Sequence, residues 1–294
     1  MVMEIRSPRM QQIIGDDVSL EQLAGGFEFI EGPVWHPHED FLIFSDIVGN
    51  RMLRWRADEG ISIFRMPSGM ANGNAYDQVG RLITCEHATS RVSQTDLDGA
   101  ITTLADRYEG FSLNSPNDVV VKTDGSIYFT DPTFGRREYY GIPRDSELSF
   151  RGVYRIDSTG KLSLLVDDFA QPNGLCFSLD ERLLFVNDTE RMHIRAFPLL
   201  SNGHLGDGSV WGVTEGDGEG APDGMKIDSE GNLYCCGPGG IHVFDPEAVC
   251  LGVIRTPEVS ANFTWGDEDL RSLFICASTG LYRIRVKIPG VPSF

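Results

Sequence analysis

Several features are scarce in this 294-residue chain. No apolar run approaches the roughly 18 residues that mark a membrane-spanning helix. The first residues, MVMEIRSPRMQQIIGDD, lack the apolar stretch of a secretory leader. Positive charge is in short supply: 25 Lys and Arg against 43 Asp and Glu leave a net charge of −18. So acidic a surface repels phosphate backbones and anionic lipid, which argues against nucleic acid and membrane partners. The six cysteines show no zinc-ribbon spacing, and Cys235 and Cys236 are adjacent, which does not suit a disulfide framework. Their apolar contexts read as buried thiols, so the simplest expectation is a soluble cytoplasmic protein. Sustained 3.6-residue periodicity is also missing, and helix should be sparse, with one turn expected near Ser19–Gly26. The signatures GxSxG and HExxH are absent, which sets aside a serine-hydrolase elbow and a zincin.

What the chain does have is turns and repetition. Gly (33) and Pro (15) are frequent, as suits many tight connections. Three segments are near copies: PNDVVVKTDGSIYFTDP from Pro116, PNGLCFSLDERLLFVNDT from Pro172 and PDGMKIDSEGNLYCCGP from Pro222. Weaker copies begin at Glu31, Ala71 and Ala261. Each copy runs from a polar residue into a short apolar strand, a turn rich in Asp, Gly or Glu, and a second strand. Two further strand-like runs follow, such as Gly152–Asp157 and Leu162–Phe169. The leading polar residues are Glu31, Asn72, Asn117, Asn173, Asp223 and Asn262, 39 to 56 residues apart. A repeat of this length built from four strands is the period of a propeller blade.

The expectation is therefore an all-β protein. The whole chain, 1–294, forms one six-bladed β-propeller of four-stranded antiparallel blades around a central channel. Residues 1–25 form an N-terminal extension, and 26–30 (GFEFI) supply the strand that closes the ring. The long intervals mark insertions at Pro132–Arg151 and Ser201–Ala221, and loops of such length are often functional.

Innermost strands line the channel of a propeller, so a residue heading each of them sits at one mouth. Two carboxylates and four amides at that place need a partner, because unpaired polar burial is costly. An all-oxygen set favours Ca²⁺, Mg²⁺ or Mn²⁺. The alternative is that the asparagines cap turns and the acids are solvated. The second strands return to the same face, and their ends carry Asp46, Glu86–His87, Asp131, Asn187–Asp188 and Ser278. These are candidates to ring the cation and contact a polyhydroxylated ligand, or else ordinary turn residues.

The motifs EGPVW, NSPNDVVVKTDGSIYFTDP, QPNGLCFS, DTERMHIRAF and APDGMKIDSEGNLYC resemble those of the gluconolactonase family. That group includes senescence marker protein (regucalcin) and the luciferin-regenerating enzymes, and its bacterial gluconolactonases are the closest branch. The resemblance runs from about Leu20 to the C-terminus. It implies a six-bladed propeller with one divalent metal, Ca²⁺ first and Mn²⁺, Mg²⁺ or Zn²⁺ as alternatives. Carried over by motif, the ligands are Glu31, Asn173 and Asp223, with Asn117 beside them for substrate or water.

The reaction implied is metal-dependent hydrolysis of a sugar lactone such as glucono-1,5-lactone, with Asp223 as general base. His87 and Asp131 are candidate substrate contacts, and Arg136, Arg137, Tyr139 and Tyr140 a candidate lid. Phe111 and Ser112 stand where the close branch often has basic residues, and DPTFG replaces DPPYG, so the particular lactone stays open. Two other readings stay open as well: a phosphotriesterase-like hydrolase on the same propeller, and a non-catalytic binding propeller stabilised by calcium.

Overall fold

Short runs of consecutive apolar residues, such as FLIF from Phe41 and LFICA from Leu273, are buried at every position, so each sheet has two apolar faces and the repeats stack side by side to bury them. The computed structural model describes residues 2–15 and 18–294. It is an all-β propeller of six blades. Blade 1 runs through Ile30–His36, Phe41–Asp46, Arg51–Arg56 and Gly60–Arg65, from the inside outwards. The innermost strands of the other blades are Ala71–Tyr76, Val119–Val121, Pro172–Phe177, Met225–Ile227 and Ser260–Gly266. Each packs against the innermost strands on both sides, and Ser260–Gly266 against Ile30–His36 closes the circle.

The ring is latched by the N-terminus, but not by the expected segment. Glu21–Gly25 forms the outer strand of blade 6, with Glu21 opposite Arg283 and Gly25 opposite Gly280. Residues 26–29 are the link into blade 1, whose innermost strand already begins at Ile30: Gly26 turns with φ +83° and Phe27 packs edge-on against Phe44 at 5.4 Å. The turn of helix expected near Ser19–Gly26 is this same strand. An unpaired edge on Gly280–Arg285 offers main-chain hydrogen bonds that override local helix preference.

The only α-helix among the described residues is Arg9–Ile13, and no helix is long and apolar enough to cross a membrane. Met10, Ile13 and Ile14 are fully buried in the cluster that holds Tyr234, Phe263 and Trp265. The strand before that helix, Met3–Ile5, adds a fifth strand to blade 5. Ser201–Ala221 is likewise not all loop: Ser209–Val213 is the outer strand of blade 4. All six cysteines are free, and five of them are buried.

Candidate metal and substrate site

Pairing along the innermost strands slips where the leading polar residues lie. The register shifts between Glu31 and Val34, Ala71 and Asn74, Pro172 and Leu175, and Ser260 and Asn262. Bulges of this kind re-aim side chains, and here they let the leaders face the axis. The blades also approach so closely that no Cβ fits after some leaders. A Cβ on Gly32 (φ +54°) would lie 1.9 Å from the Asn72 carbonyl oxygen, and one on Gly174 2.1 Å from that of Asp223. The glycines of EGP and PNG are thus what let neighbouring leaders converge.

Glu31, Asn72, Asn117, Asn173 and Asp223 line one cavity of about 140 Å³. Phe29, Ile47, Phe134 and Tyr140 form its apolar walls, with His87 and Thr189 between. Asn173 donates to Thr189 Oγ1 at 3.0 Å, and Thr189 donates in turn to the Pro222 carbonyl at 2.7 Å. That relay fixes the Asn173 amide group, so its oxygen is left for a ligand. Glu31 Oε2 accepts from Asn262 Nδ2 at 2.9 Å and from the Gly32 amide. Asp223 lies within hydrogen-bonding reach of Asn173 and Glu31. Asn262, the sixth leader, does not line the cavity: it anchors Glu31.

Electrostatics set the chemistry of this cluster. Burial and then the Asp118 charge push the Glu31 carboxyl up. Burial, Glu31 and Asp118 together push Asp223 well above the usual carboxylate range. Like charges buried together cannot both ionise without a counter-charge. Lys226 is the cation acting on Glu31 and Asp118 from farther along the channel. Two adjacent carboxylates, amide oxygens and no sulfur make a donor set that fits a hard divalent cation. No group of three or more His, Cys, Asp or Glu side chains is placed to hold a metal among the described residues, so amides have to complete this set.

Sequence reasoning passed over Asp118. It occupies the place where the other strong repeats have glycine, at PND against PNG and PDG, and that exchange was the available signal. It is buried, accepts from the Val119 amide at 2.9 Å, and has no partner for Oδ2 among the described residues.

The second-strand acids do not reach the cavity. Asp131, expected to touch substrate, accepts from the amides of Asn114 at 2.8 Å and Ser115 at 2.7 Å. Asp46 and Asp188 hold the corresponding amides in blades 1 and 4. Glu86 is taken up by Arg65, Arg91, Thr89 and Ser93. Asp46, Asp131 and Asp188 are loop ties, because paired backbone N–H groups occupy their oxygens, whereas side chains alone hold Glu86. His87 does line the cavity: Nε2 is 3.1 Å from Asn72 Nδ2 and Nδ1 is 2.8 Å from the Tyr140 carbonyl.

The Pro132–Arg151 segment does cover the cavity, through Phe134 and Tyr140, and Tyr140 packs on Phe29 at 5.1 Å. Arg136 belongs to its foundation: it is buried and donates to the carbonyls of Leu113 and Asn114. Arg137 stays outside over the Phe134 ring, and Tyr139 reaches the Glu28 carbonyl at 3.4 Å.

A larger cavity, about 620 Å³, opens at the far ends of the same innermost strands. Val34, Met225, Trp265 and Phe294 are among its lining residues, with Lys226. The convergent acids and amides lie in the smaller one, and convergence of polar groups marks a site better than volume does.

The fold and this site define a six-bladed propeller with an acidic, amide-lined axial pocket. The SMP-30/Gluconolactonase/LRE-like region matches residues 29–279, and the chain belongs to that family. A gluconolactonase of Zymomonas mobilis is 33% identical across 97% of this chain and 86% of its own length. A solved gluconolactonase from Xanthomonas campestris is 35% identical and superimposes with a TM-score of 0.90, covering 98% of this chain and 95% of that one. A calcium-binding regucalcin from Agrobacterium tumefaciens, 17% identical, shares the fold at a TM-score of 0.78 over 93% of this chain and 96% of its own.

Proposed function

We propose that this protein is a divalent-cation-dependent lactonase that hydrolyses a sugar lactone of the glucono-1,5-lactone type to the corresponding hydroxy acid. The observation that carries this reading is the meeting of Glu31, Asn173 and Asp223, separated widely in sequence, in one cavity of a chain whose relatives include gluconolactonases.

Glu31, Asn173 and Asp223 are the residues that would hold the cation. Bound there, a divalent cation supplies Lewis-acid polarisation of an ester carbonyl. The chain's own groups do the rest. Glu31 is committed to Asn262 and the Gly32 amide, so Asp223 is the carboxylate available to move a proton. Asp223 takes a proton from water as the water oxygen bonds to the lactone carbonyl carbon. The ring C–O bond then breaks, and the proton passes to the departing alkoxide oxygen, giving the open hydroxy acid. Asn117 makes no side-chain hydrogen bond within the described residues and lines the cavity, which supports a role in orienting water or a substrate hydroxyl. Phe29, Phe134 and Tyr140 exclude bulk water from the reacting centre.

The test is acid release from glucono-1,5-lactone by protein stripped with a chelator and then reloaded with Ca²⁺, Mn²⁺, Mg²⁺ or Zn²⁺. Loss on stripping, recovery on reloading and loss in Asp223→Ala support the proposal. Activity indifferent to both treatments contradicts it.

A further inference from the structure

The lactonase reading leaves one cavity-lining side chain without a role. Asn72 heads the innermost strand of blade 2 and is 3% exposed. Its backbone carbonyl is held by Ser45 Oγ at 2.7 Å and Asn74 Nδ2 at 2.9 Å. Its Nδ2 faces His87 Nε2 at 3.1 Å. Its Oδ1 is buried and has no partner among the described residues. An amide oxygen left this way is costly unless a ligand completes it.

The orientation of that amide group follows from its neighbours. The Tyr140 carbonyl can only accept, so His87 Nδ1, 2.8 Å away, carries the proton and donates it. In the neutral ring Nε2 is then a lone pair, and it accepts from Asn72 Nδ2. Burial keeps the ring neutral by lowering its pKa to about 4. The ring cannot shift easily, because Gly135 presses on it: a Cβ there would come within 2.5 Å of His87 Cβ and Cγ. With Nδ2 committed to His87, Oδ1 is the free end of the amide.

We propose that Asn72 Oδ1 is a specificity-determining acceptor for a hydroxyl group of the lactone ring, and that His87, set by the Tyr140 carbonyl, is the residue that positions it. The inference rests on the lactonase reading and narrows it. The site selects lactones that carry a donor at this place over lactones that do not. A site built around a hydroxyl rejects the analogue lacking it, because its own polar group is then left unpaired.

The experiment measures kcat/KM for glucono-1,5-lactone and for δ-valerolactone, the same six-membered ester ring without hydroxyl groups. The ratio of the two is independent of how much of a variant is folded. Asn72→Ala lowers that ratio about tenfold. His87→Leu, which keeps bulk but offers no acceptor, lowers it similarly. His87→Gln, which can accept from Asn72 and donate to Tyr140, keeps the wild-type ratio. A ratio unchanged in Asn72→Ala while the wild type hydrolyses gluconolactone overturns this inference alone. His87→Gln behaving like His87→Leu overturns the positioning role of His87. Wild-type protein inactive on both lactones overturns the lactonase reading, and the inference with it.

Discussion

Glu31 and Asp223, at the heads of innermost strands, and Asp46, Asp131 and Asp188, at the ends of second strands, are acids of the same kind at the same end of the propeller. They meet different fates. Each of the second group accepts from two consecutive backbone amides, at Glu28 and Phe29, Asn114 and Ser115, and Ala170 and Gln171. Those amides stand three and two residues before Glu31, Asn117 and Asn173. The second-strand acids therefore spend their lone pairs holding the loops that deliver the first group. Glu31 and Asp223 face each other and Asp118 instead, and among the described residues neither is held by a pair of consecutive backbone amides. Burial of a carboxylate alone does not mark a ligand. What distinguishes the two groups is the pair of consecutive main-chain N–H groups that holds each second-strand acid, where Glu31 has the Gly32 amide alone.

The largest effect that separates the two groups of acids concerns turnover. Asp223→Ala should lower kcat for lactone hydrolysis about a thousandfold, within the range of a lost general base, with melting temperature little changed. Asp188→Ala should do the reverse. It strands the amides of Ala170 and Gln171 and should cost about 3 kcal/mol of stability in denaturant titration, while folded protein keeps activity within about tenfold of wild type.

Glu31→Gln should have the opposite sign from Asp188→Ala in metal-free protein. Gln still accepts from Asn262 and the Gly32 amide but removes a buried like charge, a gain on the order of 1 kcal/mol. A loss of stability in that variant would erase the distinction between the two groups.

The pH dependence sharpens the same point. Glu31 and Asp223 have ordinary values near 4; in the folded metal-free protein burial and the Asp118 charge raise Glu31, and burial with the Glu31 and Asp118 charges raises Asp223. The folded state holds these protons more tightly than the unfolded chain. This part of the stability is complete below about pH 4 and is lost as pH rises through the raised values. Metal-free protein should melt progressively lower between pH 5 and 8 by about a few degrees. The slope should flatten in Glu31→Gln and on adding Ca²⁺, as differential scanning calorimetry would read. The smallest effect belongs to Arg51. It bonds Asp46 Oδ2 at 2.9 and 3.0 Å but is a third exposed, and the amides still hold Asp46. Arg51→Met should cost no more than about 1 kcal/mol.

Much of this architecture was legible before the structure, because a propeller writes its geometry as repetition. The six leaders, the four-strand blades and the insertion over the cavity were all visible as spacing. What stayed hidden depended on contacts between distant segments. The closing strand moved from 26–30 to Glu21–Gly25 because its identity is set by the edge of Gly280–Arg285, more than 250 residues away. Asp131 looked like a site residue because an acid at a strand end does not reveal which amides face it. Arg136 looked like part of a lid, yet its planar fork is buried against carbonyls, a role that no local pattern announces. Asn72 was visible as a leader, but only the His87–Tyr140 chain shows which end of its amide is free.

The most direct test of the central claim is anomalous diffraction from crystals of this protein soaked in Mn²⁺. One strong peak is expected on the propeller axis, with an oxygen from each of Glu31, Asn173 and Asp223 within about 2.0–2.6 Å. A peak ringed instead by Asp46, Asp131 or Asp188, or no axial peak in protein that hydrolyses lactones, would contradict that claim.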